Sequence, residues 1–269
     1  MGANFAGVTY THSWGALFFD PAVPITDSEA KLNSVTLGYG RTFSLGGFQA
    51  LATAGLPYAW GSFSGRVAET DTGVTRSGVG DLRAKLSVNL IGGPALTPQA
   101  FVRAPARRVI AGVSLTVAAP TGQNYPEKLI NIGSNRWGFK PEVGISYNWR
   151  RKWYADLYGG VWLFTANPES YPGSSRRQQD PLASLQAHLS YTIARRTWAA
   201  VDGTWYWGGA SSTDGGPPSA RLDNKRLGAL LAVGLTARQS VKLGYSYGAS
   251  TRVGEDFGTV GLAYQILWF

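Results

Sequence analysis

The chain has 269 residues, no cysteine and a formal net charge of +9. The lack of cysteine excludes disulfides and thiolate metal sites. Its basic residues do not form one nucleic-acid-binding face, because pairs such as Arg107/Arg108 and Arg195/Arg196 stand beside predicted turns. No linker-like segment divides the chain, so we expect residues 1–269 to form a single domain.

Alternation of apolar with small or polar residues is the main pattern, clearest where Leu82, Ala84, Leu86 and Val88 alternate with charged and hydroxyl side chains. A period of two is typical of a strand whose faces meet different solvents. No apolar run approaches the roughly 20 residues of a membrane helix. The pattern predicts an all-β fold, a transmembrane antiparallel barrel of twelve strands. We place these strands near 5–17, 32–43, 48–62, 77–91, 100–119, 135–149, 153–165, 182–194, 197–208, 225–237, 240–250 and 257–268.

The links between these segments alternate in length. Long polar links lie near 19–31, 64–76, 120–135, 166–181, 209–224 and 251–256, and short links near 44–47, 92–97, 150–152, 194–196 and 238–239. An even strand count with short periplasmic turns and longer extracellular loops indicates a protein of the bacterial outer membrane. We therefore expect lipid and lipopolysaccharide around the barrel, and an export signal that has already been removed.

The face opposite the apolar one carries the ionisable residues that we expect to line a pore. The candidates are Asp81, Arg83, Lys85, Lys140, Glu142, Asp156, His188, Asp202, Arg226 and Lys242. These have one more positive than negative charge, which would favour anions in a narrow passage. The alternative is that they pair across the lumen and stiffen the barrel.

Prolines at three positions interrupt the strand pattern. Pro57, Pro105 and Pro141 lie within or beside predicted strands, where proline cannot donate to the ladder. One interpretation is a strand end or bulge, and the other is a gap in the wall through which a hydrophobic substrate leaves sideways.

The carboxyl end finishes in an aromatic residue, as outer-membrane barrels commonly do. We expect the barrel-assembly machinery to bind Phe269, although the alternation of Val260, Leu262, Tyr264 and Ile266 places Trp268 on the lipid face instead. A bulge near the end would restore the register.

Three segments resemble a known family: Gly78-Val79-Gly80-Asp81-Leu82-Arg83-Ala84-Lys85-Leu86, then Ala119-Pro120-Thr121-Gly122, then Gly133-Ser134-Asn135-Arg136-Trp137-Gly138-Phe139. Their order and spacing resemble the outer-membrane family of the meta-pathway of phenol degradation. The resemblance implies an outer-membrane channel linked with the catabolism of aromatic or other hydrophobic compounds. It carries over no catalytic residues.

These observations predict a channel for passive uptake of small molecules, either aromatic or hydrophobic compounds or small anions. We expect a monomer without enzymatic activity, cofactor, metal or nucleic-acid partner. One alternative is an outer-membrane hydrolase that uses His188, Ser190 and Asp202, since a nucleophilic serine needs a nearby base and an orienting group. The alternation places His188 and Ser190 on the lumen side of the strand, whereas a lipid substrate lies outside the barrel, and this argues against the hydrolase. A structural barrel without transport is the other alternative.

Overall fold

A computed structural model describes residues 1–16, 26–67, 70–150, 152–250 and 257–269. The long link predicted near 251–256 lies outside the described residues, and so do residues 19–25 of the link predicted near 19–31. The strands are β1 (Asn4–Ala16), β2 (Thr26–Leu45), β3 (Phe48–Val67), β4 (Thr70–Val79), β5 (Leu82–Pro94), β6 (Val109–Ala119), β7 (Gly138–Trp149), β8 (Trp153–Phe164), β9 (Asn167–Ser170), β10 (Ser175–Gln179), β11 (Leu182–Ala194), β12 (Thr197–Gly208), β13 (Ser211–Thr213), β14 (Leu222–Gly234), β15 (Gln239–Ser250) and β16 (Gly258–Trp268). A short helix, α1 (Pro98–Arg103), lies between β5 and β6.

The large sheet closes on itself. Its antiparallel order runs from β2 through β1 and β16 round to β5, β3 and β4, and β2 also pairs with β3. Because β4 and β5 pair with successive parts of β3, they form one interrupted strand of the wall. The wall therefore has twelve strands, as the alternation predicts, and closure leaves no free edge in the hydrocarbon layer.

The apolar face of each strand points away from the barrel axis. Residues opposite one another in a ladder share a face; Val8, for example, opposes both Leu37 and Tyr264. Leu37 is 64% exposed and Val143 on β7 is 62% exposed. In contrast, the buried apolar residues are almost all alanines. A soluble fold would bury its large side chains, so this distribution fits a lipid-facing outer surface.

The long link near 166–181 has its own structure. Within it, β9 and β10 pair, and β10 also pairs with β13 to form a three-stranded sheet beyond the barrel wall. The backbone N–H of Arg176 donates to Asp214 at 2.7 Å, and this hydrogen bond holds the pKa of that carboxyl below its ordinary value. The loop is therefore folded rather than a simple connection.

The prediction of a strand from residue 100 is wrong, since that strand begins at Val109. Residues 98–103 form α1, which begins after Thr97, whose side chain accepts from the N–H of Ala100. Pro98 at the start of the helix suits the first turn, where no N–H partner is needed. Consequently the connection expected to be short spans 95–108. Among the described residues, no helix is long and apolar enough to cross a membrane.

The link predicted near 64–76 is largely strand. β3 continues to Val67 and β4 begins at Thr70, with Arg66 directly opposite Asp71. The Arg66 Nε lies 3.2 Å from the Asp71 carboxylate. Polar pairs between opposite residues stabilise the part of the β3–β4 hairpin that lies beyond the membrane, where the strands need no apolar face.

Candidate functional site

Three of the predicted pore-lining residues are in direct contact on the inner wall. Glu142 on β7 accepts from the Lys85 Nζ at 2.9 Å and from the Lys140 Nζ at 2.6 Å, each on a different carboxylate oxygen. Lys140 and Glu142 are buried, whereas the Lys85 side chain is 38% exposed to the lumen. Gly160 on β8 leaves the space that the Lys140 side chain fills. This cluster has a net charge of +1.

A second polar group lies farther round the wall, where β8, β11 and β12 are adjacent. His188 stands opposite both Asp156 and Asp202 in the two ladders. Its Nδ1 lies 4.0 Å from an Asp202 carboxylate oxygen, and the Tyr158 ring meets the imidazole edge-on at 5.9 Å between centroids. These residues face the lumen and are partly exposed to it.

The alternative hydrolase site requires a hydrogen bond between serine and histidine. Ser190 points to the same side as His188 and stands opposite Tyr154 and Ala200. The hydrogen bonds of the described residues include none from Ser190 to His188, and the His188–Asp202 separation exceeds hydrogen-bonding distance. The geometry does not assemble the nucleophile, base and orienting group that such a reaction needs.

The remaining basic candidates occupy different heights of the lumen. Arg226 donates to the Ser246 hydroxyl at 3.2 Å and to the Phe257 carbonyl at 2.9 Å near the extracellular end. Arg83 stands opposite Gly55 and Ala118, whose small side chains leave room for it. Lys242 lines cavities near the short turns. The structure thus brings together Lys85, Lys140 and Glu142 in one cluster, and spreads the other cations along the pathway.

Asp81 joins the three segments on which the family resemblance rests. Its carboxylate accepts from the Gly122 N–H at 3.0 Å and from the Ser134 N–H at 2.9 Å. The backbone N–H of Leu82 in turn donates to the Thr121 hydroxyl at 2.9 Å. Sequence alternation alone assigned Asp81 to the lumen wall. The contacts show that it anchors the loop over 120–137 to the start of β5.

The two glycines of this junction allow the backbones to touch. A Cβ on Gly133 would lie 2.5 Å from the carbonyl carbon of Gly122, and a Cβ on Gly122 would lie 2.7 Å from the Cα of Gly133. Both obstructing atoms belong to the main chain, so neither can move aside cheaply. A side chain at either position would force the two ends of the loop apart, and one on Gly122 would also meet Asp81.

The wall is interrupted beside two of the three prolines. Pairing of β3 passes from β5 to β4 around Pro57, although the β2–β3 ladder continues through it. Pro141 remains paired with Leu115, while the β7–β8 ladder lacks pairs at 140–141 in an unchanged register. Pro105 lies between α1 and β6, outside any strand. A sideways exit for an apolar solute stays a prediction.

Arg136, which sequence reasoning missed as a site residue, lies at the extracellular end of the lumen. Its guanidinium lies 4.2 Å from the centroid of the inward-facing Phe164 ring and donates to Gln179 at 2.6 Å. Burial, followed by the nearby charge of Arg177, lowers the pKa of Arg136 to about 10. It stays positive at neutral pH, so this end of the lumen also carries a cation.

Comparisons with known proteins agree with this architecture. The chain is similar to an outer-membrane channel from Pseudomonas putida, with a TM-score of 0.81 and 22% identity over 100% of this chain and 96% of that one. It is similar to the β domain of the Bordetella autotransporter BrkA, with a TM-score of 0.58 and 13% identity over 100% of both chains. For the NanC porin the TM-score is 0.54, with 9% identity over 97% of this chain and 98% of that one. No curated protein is significantly similar in sequence.

A sequence model identifies the family. The model described as "Putative MetA-pathway of phenol degradation" matches residues 20–266, which is nearly the whole chain. The match includes the three segments joined at Asp81. With its closed twelve-stranded wall and lipid-facing apolar surface, the protein has the fold of a bacterial outer-membrane barrel, and the chain belongs to this family.

Proposed function

We propose that this channel mediates passive uptake of small organic solutes, including aromatic or hydrophobic compounds and small anions. The observation that carries the proposal is an open space on the inner face of the barrel wall. A cavity of about 480 Å³ lies against β1, β2, β3 and β16, bordered by small or hydroxyl residues such as Gly7, Gly38, Thr36 and Thr53. A purely structural barrel would fill this space with side chains.

Charge along the pathway supports selection of anions. Lys85 and Lys140 share a single carboxylate, and the Arg83 side chain stands on the same inner face of β5 as Lys85. Fixed charges act strongly in a narrow, partly desolvated passage. The uncompensated positive charge therefore attracts small anions and repels small cations.

The test is conductance and ion selectivity of the purified protein in planar bilayers, with liposome swelling by small aromatic acids as the second measurement. We expect discrete channels, and a shift of the reversal potential toward cation selectivity when Arg83→Gln and Lys85→Gln are combined. Arg221→Gln, in an extracellular loop, is the matched control and leaves the selectivity unchanged. Absence of both conductance and swelling would overturn the proposal.

Two finer points stay predictions. The first is that Phe269 is bound by the assembly machinery; in the structure β16 ends at Trp268, with Phe269 following it. The second is that the channel works as a monomer.

A further inference from the structure

Charge is distributed very unequally between the segments that flank the short turns and the rest of the chain. The segments nearest the short turns and the termini contain eleven Lys and Arg residues and no Asp or Glu. The rest of the chain contains fourteen basic and sixteen acidic residues, so this end supplies all of the net positive charge. These segments are 1–10, 40–54, 88–112, 147–155, 190–200, 230–244 and 262–269.

Part of this charge borders the lumen. A cavity of about 430 Å³ at the periplasmic end is lined by Arg195, Arg196, Arg238 and Lys242 without any acidic side chain. The Arg196 side chain lies against Gly234, where a Cβ would approach the Arg196 Cβ to 3.0 Å. These cations can therefore bind an anion inside the channel without competition from a carboxylate side chain of the cavity wall.

An apolar compartment adjoins this cationic one. A cavity of about 650 Å³ lies between α1 and the barrel wall. Its apolar lining includes Phe5, Leu96, Phe101, Leu267 and Phe269, and Arg103 is the charged side chain at its border. Leu267 lines both cavities. One molecule can thus place an apolar body beside α1 and a charged group beside the arginines.

We propose that the periplasmic end of the lumen is a binding site for amphipathic organic anions, namely small carboxylates with an apolar body. Arginine matches the two oxygens of a carboxylate in charge and geometry. Trp198 and Gln265 of the cationic cavity point into the lumen, which favours a solute over a lipid headgroup.

This inference rests on the proposed function, and calorimetry of the whole protein in non-ionic detergent tests it. The probe is 3-phenylpropionate, compared with 3-phenylpropanol, which lacks the charge, and propionate, which lacks the ring. We expect the alcohol to bind at least about tenfold more weakly because it lacks the hydrogen bonds of a charged group. We expect propionate to bind at least about tenfold more weakly because it lacks the ring that the apolar cavity would bury. The combined variant Arg196→Gln/Arg238→Gln should raise the Kd for 3-phenylpropionate by a similar factor.

Arg108→Gln is the matched control, because Arg108 also stands at this end but its guanidinium donates to the hydroxyl of the outward-facing Tyr147. It should leave the Kd unchanged. The single variant Arg238→Gln, at an exposed turn, provides a measurement if the double variant does not fold. Equal binding of the alcohol, equal binding of propionate, or equal effects of Arg238→Gln and Arg108→Gln would each overturn the site.

The proposed function is judged separately by conductance. Channels that conduct but do not bind 3-phenylpropionate would overturn the site and leave the channel function intact. Binding without conductance or swelling would overturn the channel function and leave the site.

Discussion

At the scale of single residues, Glu142 is the carboxylate that two lumen lysines share. It is buried and accepts from two lysines of two different strands, so its charge links β5 with β7 across the intervening β6. Without the Glu142 carboxylate, Lys85 and Lys140 would each be a cation without a counter-charge at this point. Removing one member of a buried ion pair is much more destabilising than removing an exposed pair.

Glu142→Gln should therefore lower the free energy of unfolding by about 3 kcal/mol, measured by urea titration of the barrel in detergent. The same variant should move the reversal potential further toward anions, because the two lysines stay charged. Asp202→Asn is the control, since its His188 partner is 4.0 Å away and about a third of each side chain is exposed; we expect a loss below about 1 kcal/mol. Equal losses in the two variants would contradict the role of Glu142.

At the scale of elements, the segment over 120–137 completes the wall where β6 has ended. Its Gln123 N–H donates to the Val79 carbonyl at 2.8 Å, and the Arg76 Nε donates to the Ile130 carbonyl at 3.1 Å. Both contacts are made to β4, while Asp81 binds the two ends of the segment. The loop is therefore part of the barrel wall and not a free surface connection.

Gly133→Ala should displace this loop, because the added methyl group meets the Gly122 backbone at 2.5 Å. We expect a loss of about 1–3 kcal/mol, as for other overpacked sites, together with faster proteolytic cleavage between residues 123 and 132. Gly159→Ala on β8 is the control, since a Cβ there meets nothing within 4 Å. Unchanged proteolysis of the Gly133 variant would show that the junction tolerates separation.

At the scale of the whole molecule, the periplasmic end is positive and the rest of the chain is slightly negative. This difference produces an electric field along the barrel axis. Screening by salt limits the reach of such a field to about 10 Å at 0.1 M and about 3 Å at 1 M. Part of the selectivity should therefore come from the arginine-rich mouth and depend on ionic strength.

The ratio of anion to cation permeability should exceed one in 0.1 M KCl and approach one in 1 M KCl, measured from reversal potentials under a fixed twofold gradient. Combining Arg195→Gln, Arg196→Gln and Arg238→Gln should reduce this salt dependence, whereas Arg221→Gln should leave it unchanged. A permeability ratio that is the same at both concentrations would contradict a contribution from the mouth.

Alternation made the twelve-stranded barrel predictable, because a strand between lipid and an aqueous lumen must differ on its two faces. It also placed Lys85, Lys140 and Glu142 on one face. Pairing of these charges was one of the two sequence interpretations, but that Lys85 is the partner from another strand was not predictable, since it depends on the register of β5, β6 and β7. The hydrogen bonds of Asp81 could not be predicted for a similar reason, because its partners lie 41 and 53 residues farther along the chain.

Helix α1 shows the limit of periodicity over short segments. Its six residues continue the apolar and polar mixture of the neighbouring strands, so alternation predicts the start of a strand there. The start signal was nevertheless present in Thr97 and Pro98, a capping residue followed by a proline suited to the first turn. Local capping chemistry was more informative here than alternation.

The ladder between β1 and β16 has a consequence for the order in which the protein is made. It pairs Asn4 with Trp268 and Trp14 with Gly258. The first strand of the chain can therefore complete its pairing only after the last strand has been made. Until β16 has paired with β1 the sheet has two unpaired edges, and such edges associate with other chains. Closure of the cylinder is thus a late event over a very long sequence separation, and the interval before it is when the chain is most prone to aggregate.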